Sequence, residues 1–148
     1  MSGTTTPPRL GHLAVAASDP QRLATFYQDL LDLQIVRQTT NPQAGDAVLL
    51  SGDPQIEDHE LVLLTNPAAQ HLAFRVDSLE QLRTLYLRVK KRGIEIPFAL
   101  DSGVARGFFI LDPEGNAVEI YLRSDEPHRN KPPLSDPVQI DRLILGYE

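Results

Sequence analysis

The chain says nearly the same thing twice: HLAVAASDPQRLATFY over His12–Tyr27 and HLAFRVDSLEQLRTLY over His71–Tyr86. Set at an offset of 59 residues, the two stretches agree at six of sixteen positions, namely His, Leu, Ala, Leu, Thr and Tyr. Self-similarity of this kind marks a duplicated structural unit. Later matches are weaker, Ile35 against Ile94 and Glu60 against Glu119. Equivalent positions of two such units can face each other, so the paired histidines decide how the rest is read.

Each unit reads as strand, helix, then three strands. In the first, LGHLAVAA alternates; Ser18 or Asp19 can cap a helix that begins at Pro20, with Leu23, Phe26, Tyr27, Leu30 and Leu31 on its apolar face. QIVRQT, AVLLSG and HELVLLT follow as strands, separated by stretches rich in turn-formers. In the second, HLAFRV leads through Ser78, a capping box with Gln81, to a helix carrying Leu79, Leu82, Leu85, Tyr86 and Val89 that ends at Gly93. The closing strands are IEIPFAL, ARGFFIL and AVEIYLR; Pro97 argues for an edge or shortened strand in the first of them. These boundaries give a loose N-terminus at residues 1–8, modules at 9–66 and 67–124, and a Pro-rich tail at 125–148. The tail ends in VQIDRLILGYE, a short strand or helix that docks on the domain or on a second subunit.

Strand alternation orients the polar groups. His12, Ala14 and Ala16 share one face, His71, Ala73 and Arg75 another, and Glu119, Tyr121 and Arg123 a third. In each case the opposite face is bulky and apolar and belongs against a helix. Two imidazoles and one carboxylate can therefore converge, a donor set suited to a divalent first-row metal with open positions, Fe(II) first among them and Mn, Ni, Co or Zn also accommodated. Any one of these residues alone is more often a hydrogen-bonded strand residue than a ligand. Repeat equivalence is what raises the triad above that.

Composition bounds the alternatives. A chain of 148 residues with 41% hydrophobic and 23% charged side chains is an ordinary globular one. Its net charge of −6 opposes nucleic-acid and anionic-membrane binding, and the basic run RVKKRG reads as a solvated helix end. With no cysteine, thiol chemistry and cysteine-held metals are excluded. No apolar leader or membrane-length run is present, so a cytoplasmic protein acting on a small molecule is the expectation.

GHLAV, QHLAF and the closing FFILDPEGNAVEIY together resemble the vicinal oxygen chelate superfamily of glyoxalase I, extradiol dioxygenases and fosfomycin and bleomycin resistance proteins. The resemblance covers about residues 9–124. It implies an α+β fold of two tandem βαβββ modules whose curled mixed sheets enclose a metal-containing cavity, often as a homodimer. Carried over by position, the metal ligands are His12, His71 and Glu119. Three ligands resemble the extradiol dioxygenases, which bind a catecholate beside O2. Where single-domain members of that group resemble DHG this chain has Asp101, Ser102 and Gly103, and where they carry Tyr ten residues before the ligand Glu it has Phe109.

Two other readings stand beside the dioxygenase. A glyoxalase-like isomerase or lyase uses the metal as a Lewis acid and needs a base on the last strand of the first module. The repeat offset proposes Glu60 there, whereas aligning the strand ends puts Val62 or Leu63 in that place. A binding or drug-sequestering protein is the third reading, favoured by Ser102 and Phe109. Candidate catalytic groups are Tyr121, His59 and Glu60. Arg75, Arg106 and Arg123 are suited to gripping an anionic substrate, with strand-face salt bridges as the plain alternative. His128, in the tail, reads as solvated.

Overall fold

The computed structural model describes residues 6–146. Residues 1–5 of the expected loose N-terminus, and 147–148 of the tail, lie outside the described residues. Among the described residues the chain divides into two compact units, one of Gly11–Leu72 and one of residues 73–146 that also takes in residues 6–10. Both are α+β, as expected. No helix among the described residues is long and apolar enough to cross a membrane.

The first unit runs β1 (Arg9–Ala16), α1 (Pro20–Leu31), β2 (Gln34–Asn41), β3 (Gly45–Ser51) and β4 (Leu61–Leu64), with strands in the order β2-β3-β4-β1. β1 and β4 are parallel, as a strand pair bridged by a helical crossover must be, and the other neighbours are antiparallel. Asp19 caps α1 by accepting from the Arg22 N–H at 3.1 Å, Pro20 supplies the first turn, and Asp32 closes the helix in the left-handed region at φ 58°. The face of α1 that packs is narrower than its apolar pattern. Ala24 is buried, and Leu23 and Tyr27 pack with it on Val48, Leu50 and Leu63. Phe26 and Leu30 stay 54% and 63% exposed. At 100° per residue they point about 160° and 120° away from Ala24, whose small side chain brings the helix close to the sheet. Behind β1, on the side of His12, a second apolar cluster of Ala14, Ala47, Leu49, Val62 and Leu64 fills a face expected to be polar.

In the second unit β5 (His71–Val76), α2 (Leu79–Lys91), β6 (Phe98–Asp101), β7 (Ala105–Leu111) and β8 (Ala117–Arg123) form a sheet of order β5-β8-β7-β6, and α3 (Pro137–Leu145) follows. Ser78 accepts from the Gln81 N–H at 3.0 Å, while the Gln81 side chain reaches back to the Asp77 N–H at 2.9 Å, a reciprocal cap displaced by one residue from the expected box. IEIPFAL becomes a strand only from Phe98: Pro97 has no N–H to give the ladder, and Ile94 and Ile96 turn inward onto the core instead. That core joins Val76, Leu82, Tyr86, Val89, Phe108 and Ile120 to Ile140 and Ile144 of α3. The tail is thus part of this unit. Leu134 and Ala99 exchange both backbone hydrogen bonds, at 2.8 and 2.9 Å, and Asp141 of α3 binds Tyr86 at 2.5 Å and Lys90 at 2.6 Å. Those two donors hold the Asp141 carboxyl below the usual carboxylate range.

Candidate metal centre

His12 sits on β1, 4% exposed, and His71 opens β5. Their Nε2 atoms stand 3.2 Å apart, with the rings nearly perpendicular at 80°. His71 Nδ1 lies 2.9 Å from the Ala69 carbonyl, which can only accept, so Nδ1 carries the proton and Nε2 presents a lone pair. Ala69 ends a short 3-10 turn, Pro67–Ala69, held by Asn66, whose side chain accepts from the Ala68 N–H at 3.0 Å. The donor set fits a metal: two imidazole nitrogens each roughly 2.1 Å from one ion, subtending about 100°, stand some ~3.2 Å apart. Pinning the far nitrogen on a carbonyl is how ligating histidines are held in one tautomer.

A third histidine lies against this pair. The His59 ring centroid is 4.3 Å from that of His12. Its Nδ1 is 2.6 Å from Asp58 Oδ2, and Asp58 in turn takes both guanidinium nitrogens of Arg37, on β2, at 2.5 and 3.5 Å. Burial alone would push the Asp58 carboxyl up; the bonds from His59 and Arg37 and their charges outweigh it and hold the carboxyl well below the usual carboxylate range. Asp58 therefore accepts and His59 Nδ1–H donates. Nothing in the sequence singles out Arg37 and Asp58 except the adjacency of Asp58 to His59, because the pairing spans 21 residues.

Glu60, one residue on, is exposed, and its Oε1 accepts from the Gly52 N–H at 2.7 Å. It ties off the connection between β3 and β4. Of the other residues considered for that place, Val62 belongs to the cluster on the His12 side and Leu63 to the cluster under α1.

In the second unit Glu119 is 7% exposed, a carboxylate almost wholly withdrawn from bulk water in the middle of β8. Antiparallel register fixes its neighbours: Glu119 is opposite Phe109, Tyr121 opposite Gly107, and Arg123 opposite Ala105. Paired residues share a face. Arg106 is opposite Leu122 and Asp101, so it lies on the other face of the sheet from Glu119 and leaves the set of substrate-gripping candidates that share that carboxylate's side. Arg123 stays with Glu119, and on β5 Arg75 alternates away from Val76, which is buried against α2. A side chain at Gly107 would put its Cβ 2.3 Å from the Ile120 carbonyl and 2.8 Å from Tyr121, so only glycine lets β7 lie this close to β8. The register is set by the DPEGN turn, where Asp112 Oδ1 accepts from the Glu114 and Asn116 N–H groups, both at 2.9 Å.

Ser102 and Gly103 carry the tail. The Arg129 N–H donates to the Ser102 carbonyl at 2.6 Å, and Arg129 pairs with Asp101 at 3.2 Å. Gly103 has φ +84°, and a Cβ there would lie 1.9 Å from the Pro127 carbonyl oxygen. His128 sits between these anchors and is half-buried, not solvated as its polar surroundings suggested.

The family model for the Glyoxalase/Bleomycin resistance protein/Dioxygenase superfamily matches residues 9–120. The chain belongs to this superfamily. Within it, the chain is 28% identical over 124 residues to biphenyl-2,3-diol 1,2-dioxygenase 3 of Rhodococcus globerulus, covering 80% of this chain and 65% of that protein. It is 32% identical over 119 residues to glutathione transferase FosA of Serratia marcescens, covering 78% of this chain and 81% of that one. Among solved structures, the 2,3-dioxygenase LapB of Pseudomonas sp. KL28 superposes with a TM-score of 0.67 at 20% identity, over 86% of this chain and 46% of LapB, a likeness of fold. The chain thus spans less than two thirds of the length of the superfamily's dioxygenases that it matches here. Its two strand–helix–three-strand modules are those of the vicinal oxygen chelate fold.

Proposed function

We propose that the protein is a metal-dependent enzyme of the extradiol-dioxygenase type, acting on a small aromatic or anionic substrate through two vicinal oxygens. The observation that carries this is the His12–His71 pair, Nε2 to Nε2 at 3.2 Å with the far side of His71 fixed on a carbonyl. Glu119, a buried carboxylate on the last strand of the duplicate module, is the proposed third ligand. Fe(II) suits two imidazoles and a carboxylate with open positions, and Mn, Ni, Co and Zn accept the same donors. When bound, the ion would fix the substrate oxygens and stabilise the negative charge that develops on them.

The protein's own groups supply the rest. Asp58 holds the proton of His59 at Nδ1, which leaves Nε2 to take a proton from a substrate hydroxyl and return it. His59 is therefore the acid–base residue of this reading. Tyr121, which shares the face of Glu119, is a hydroxyl donor, and Arg75 and Arg123 offer guanidiniums to an anionic group. Glu60 is a poor base, since taking up a proton would weaken its bond to the Gly52 N–H. That weighs against the glyoxalase-like lyase. Similarity to FosA favours a second reading in which the metal acts only as a Lewis acid in group transfer.

Elemental analysis tests the site. The protein purified without chelator is expected to hold about one ion per chain, and His12→Ala together with His71→Ala to hold none. Unchanged metal in the double variant would overturn the proposal. Oxygen uptake by Fe(II)-loaded protein with a panel of catechols separates dioxygenase from transferase or binding protein, neither of which consumes oxygen.

A further inference from the structure

We infer that the outer face of α1 is an interface between two copies of this chain, packed antiparallel about a two-fold axis, with Phe26 at its centre and Arg22 of each copy against Asp29 of the other. Phe26 and Leu30 are 54% and 63% exposed, on the side of the helix turned from its sheet. At 100° per residue Arg22, Phe26, Asp29 and Leu30 fall within about 100° of one another, so they form a single stripe. Arg22 and Asp29 are both exposed, and neither forms an ion pair among the described residues.

Two observations make the occupant a second copy. The first is where the charges stand. The first turn of α1 holds Arg22 and no acid, and its last turn holds Asp29 and no base. A helix N-terminus favours anions and a C-terminus cations, so each charge has the wrong sign for its place. An antiparallel copy offsets this by bringing the opposite charge to both. A two-fold axis passing between Thr25 and Phe26 relates position 22 to position 29, so one contact forms both ion pairs, Phe26 lies beside the axis, and the stripe is its own complement. The second observation is the duplicated unit. Leu85 and Val89 of α2, which the offset equates with Phe26 and Leu30, pack in a core that α3 completes through Ile140 and Ile144. Among the described helices only α1 keeps two large apolar side chains exposed one turn apart, and the helix that fits over them is α1 of another copy.

Sedimentation equilibrium over roughly 10 μM to 1 mM protein tests the interface; one helix against one helix is a small contact, and a concentration-dependent dimer is expected. Arg22→Glu and Asp29→Lys, each alone, turn both ion pairs into like-charge contacts and are expected to weaken the dimer roughly tenfold. An equimolar mixture of the two variants has opposite charges at both contacts of the mixed pair, and is expected to associate within about threefold of the wild type. Both substitutions carry the sign that their end of the helix favours, so weaker association would not stem from a destabilised α1. A wild type that stays monomeric throughout the range overturns the inference and leaves the face bare or to a different partner. A dimer that either variant leaves unchanged, or a mixture no stronger than the variants alone, overturns it too, since the copies would then meet elsewhere. Should either variant fail to fold by circular dichroism, Phe26→Gln, at an exposed position, decides: the dimer weakens or the inference fails.

Discussion

Asp58 does for His59 what the Ala69 carbonyl does for His71: each takes one ring N–H and so decides what the other nitrogen can do. The two acceptors differ in one respect, that only the carboxylate titrates. Because Asp58 is held below its unfolded value of about 3.9, its contribution to stability is complete above that value and is lost as the pH falls from there towards the folded-state value. Asp58→Asn should therefore lower stability in urea at pH 7, by about 1–3 kcal/mol, and by less at pH 3, where part of that contribution has gone. An equal gap at both pH values would contradict the pairing. On the proposed function the same variant should lose roughly a hundredfold in kcat with its metal content intact, since His59 is disoriented and the proposed ligands are not. At this scale the sequence was informative about the histidines, which the repeat equates, and silent about Arg37 and Asp58, whose contact depends on how β2 and the β3–β4 connection come together.

Helices and strands show where pattern misleads. The apolar face of α1 looks wider in the sequence than it is in the fold, because periodicity counts Phe26 and Leu30 without knowing that Ala24 makes the closest approach to the sheet. The duplicate helix α2 has no such bare stripe: Leu85 and Val89, which the offset equates with Phe26 and Leu30, pack in a core that includes α3. Helix α3 was legible as an element with two forms, strand or helix, and its partner was not legible at all, since Ile140 and Ile144 join a core drawn from β5, α2, β6, β7 and β8, all distant in sequence. Ile140→Ala should cost about 2–5 kcal/mol and shift the urea midpoint of the second unit's strands and helices together. If only the signal of α3 moves, the helix is an appendage and not part of this core. Pro97 explains the shortened β6 in advance, and Gly107 explains why β7 and β8 can be so close, although no single-sequence signal marks that glycine.

For the molecule as a whole, the duplicated His12–Tyr27 and His71–Tyr86 stretches made the two modules readable, because each repeats a strand face and a cap in the same order. The path of the tail ahead of α3 stayed unread because its hold is made of backbone bonds, one at Ser102 and a reciprocal pair at Ala99, that leave no periodicity. Metal binding by the folded chain alone should appear as stability: an ion at a hundred times its dissociation constant adds about 2.7 kcal/mol, or roughly 5–10 °C in Tm for a chain of this size. A chelator should remove that increment from the wild type, and His71→Ala should show none to remove. The bridge between Leu134 and Ala99 bears on a different property. β6 ends its sheet, and an unpaired terminal strand invites another chain to add itself there. By bonding its own tail to that strand at Ala99, the protein covers part of the edge with its own backbone, which leaves less of it for another chain to pair with.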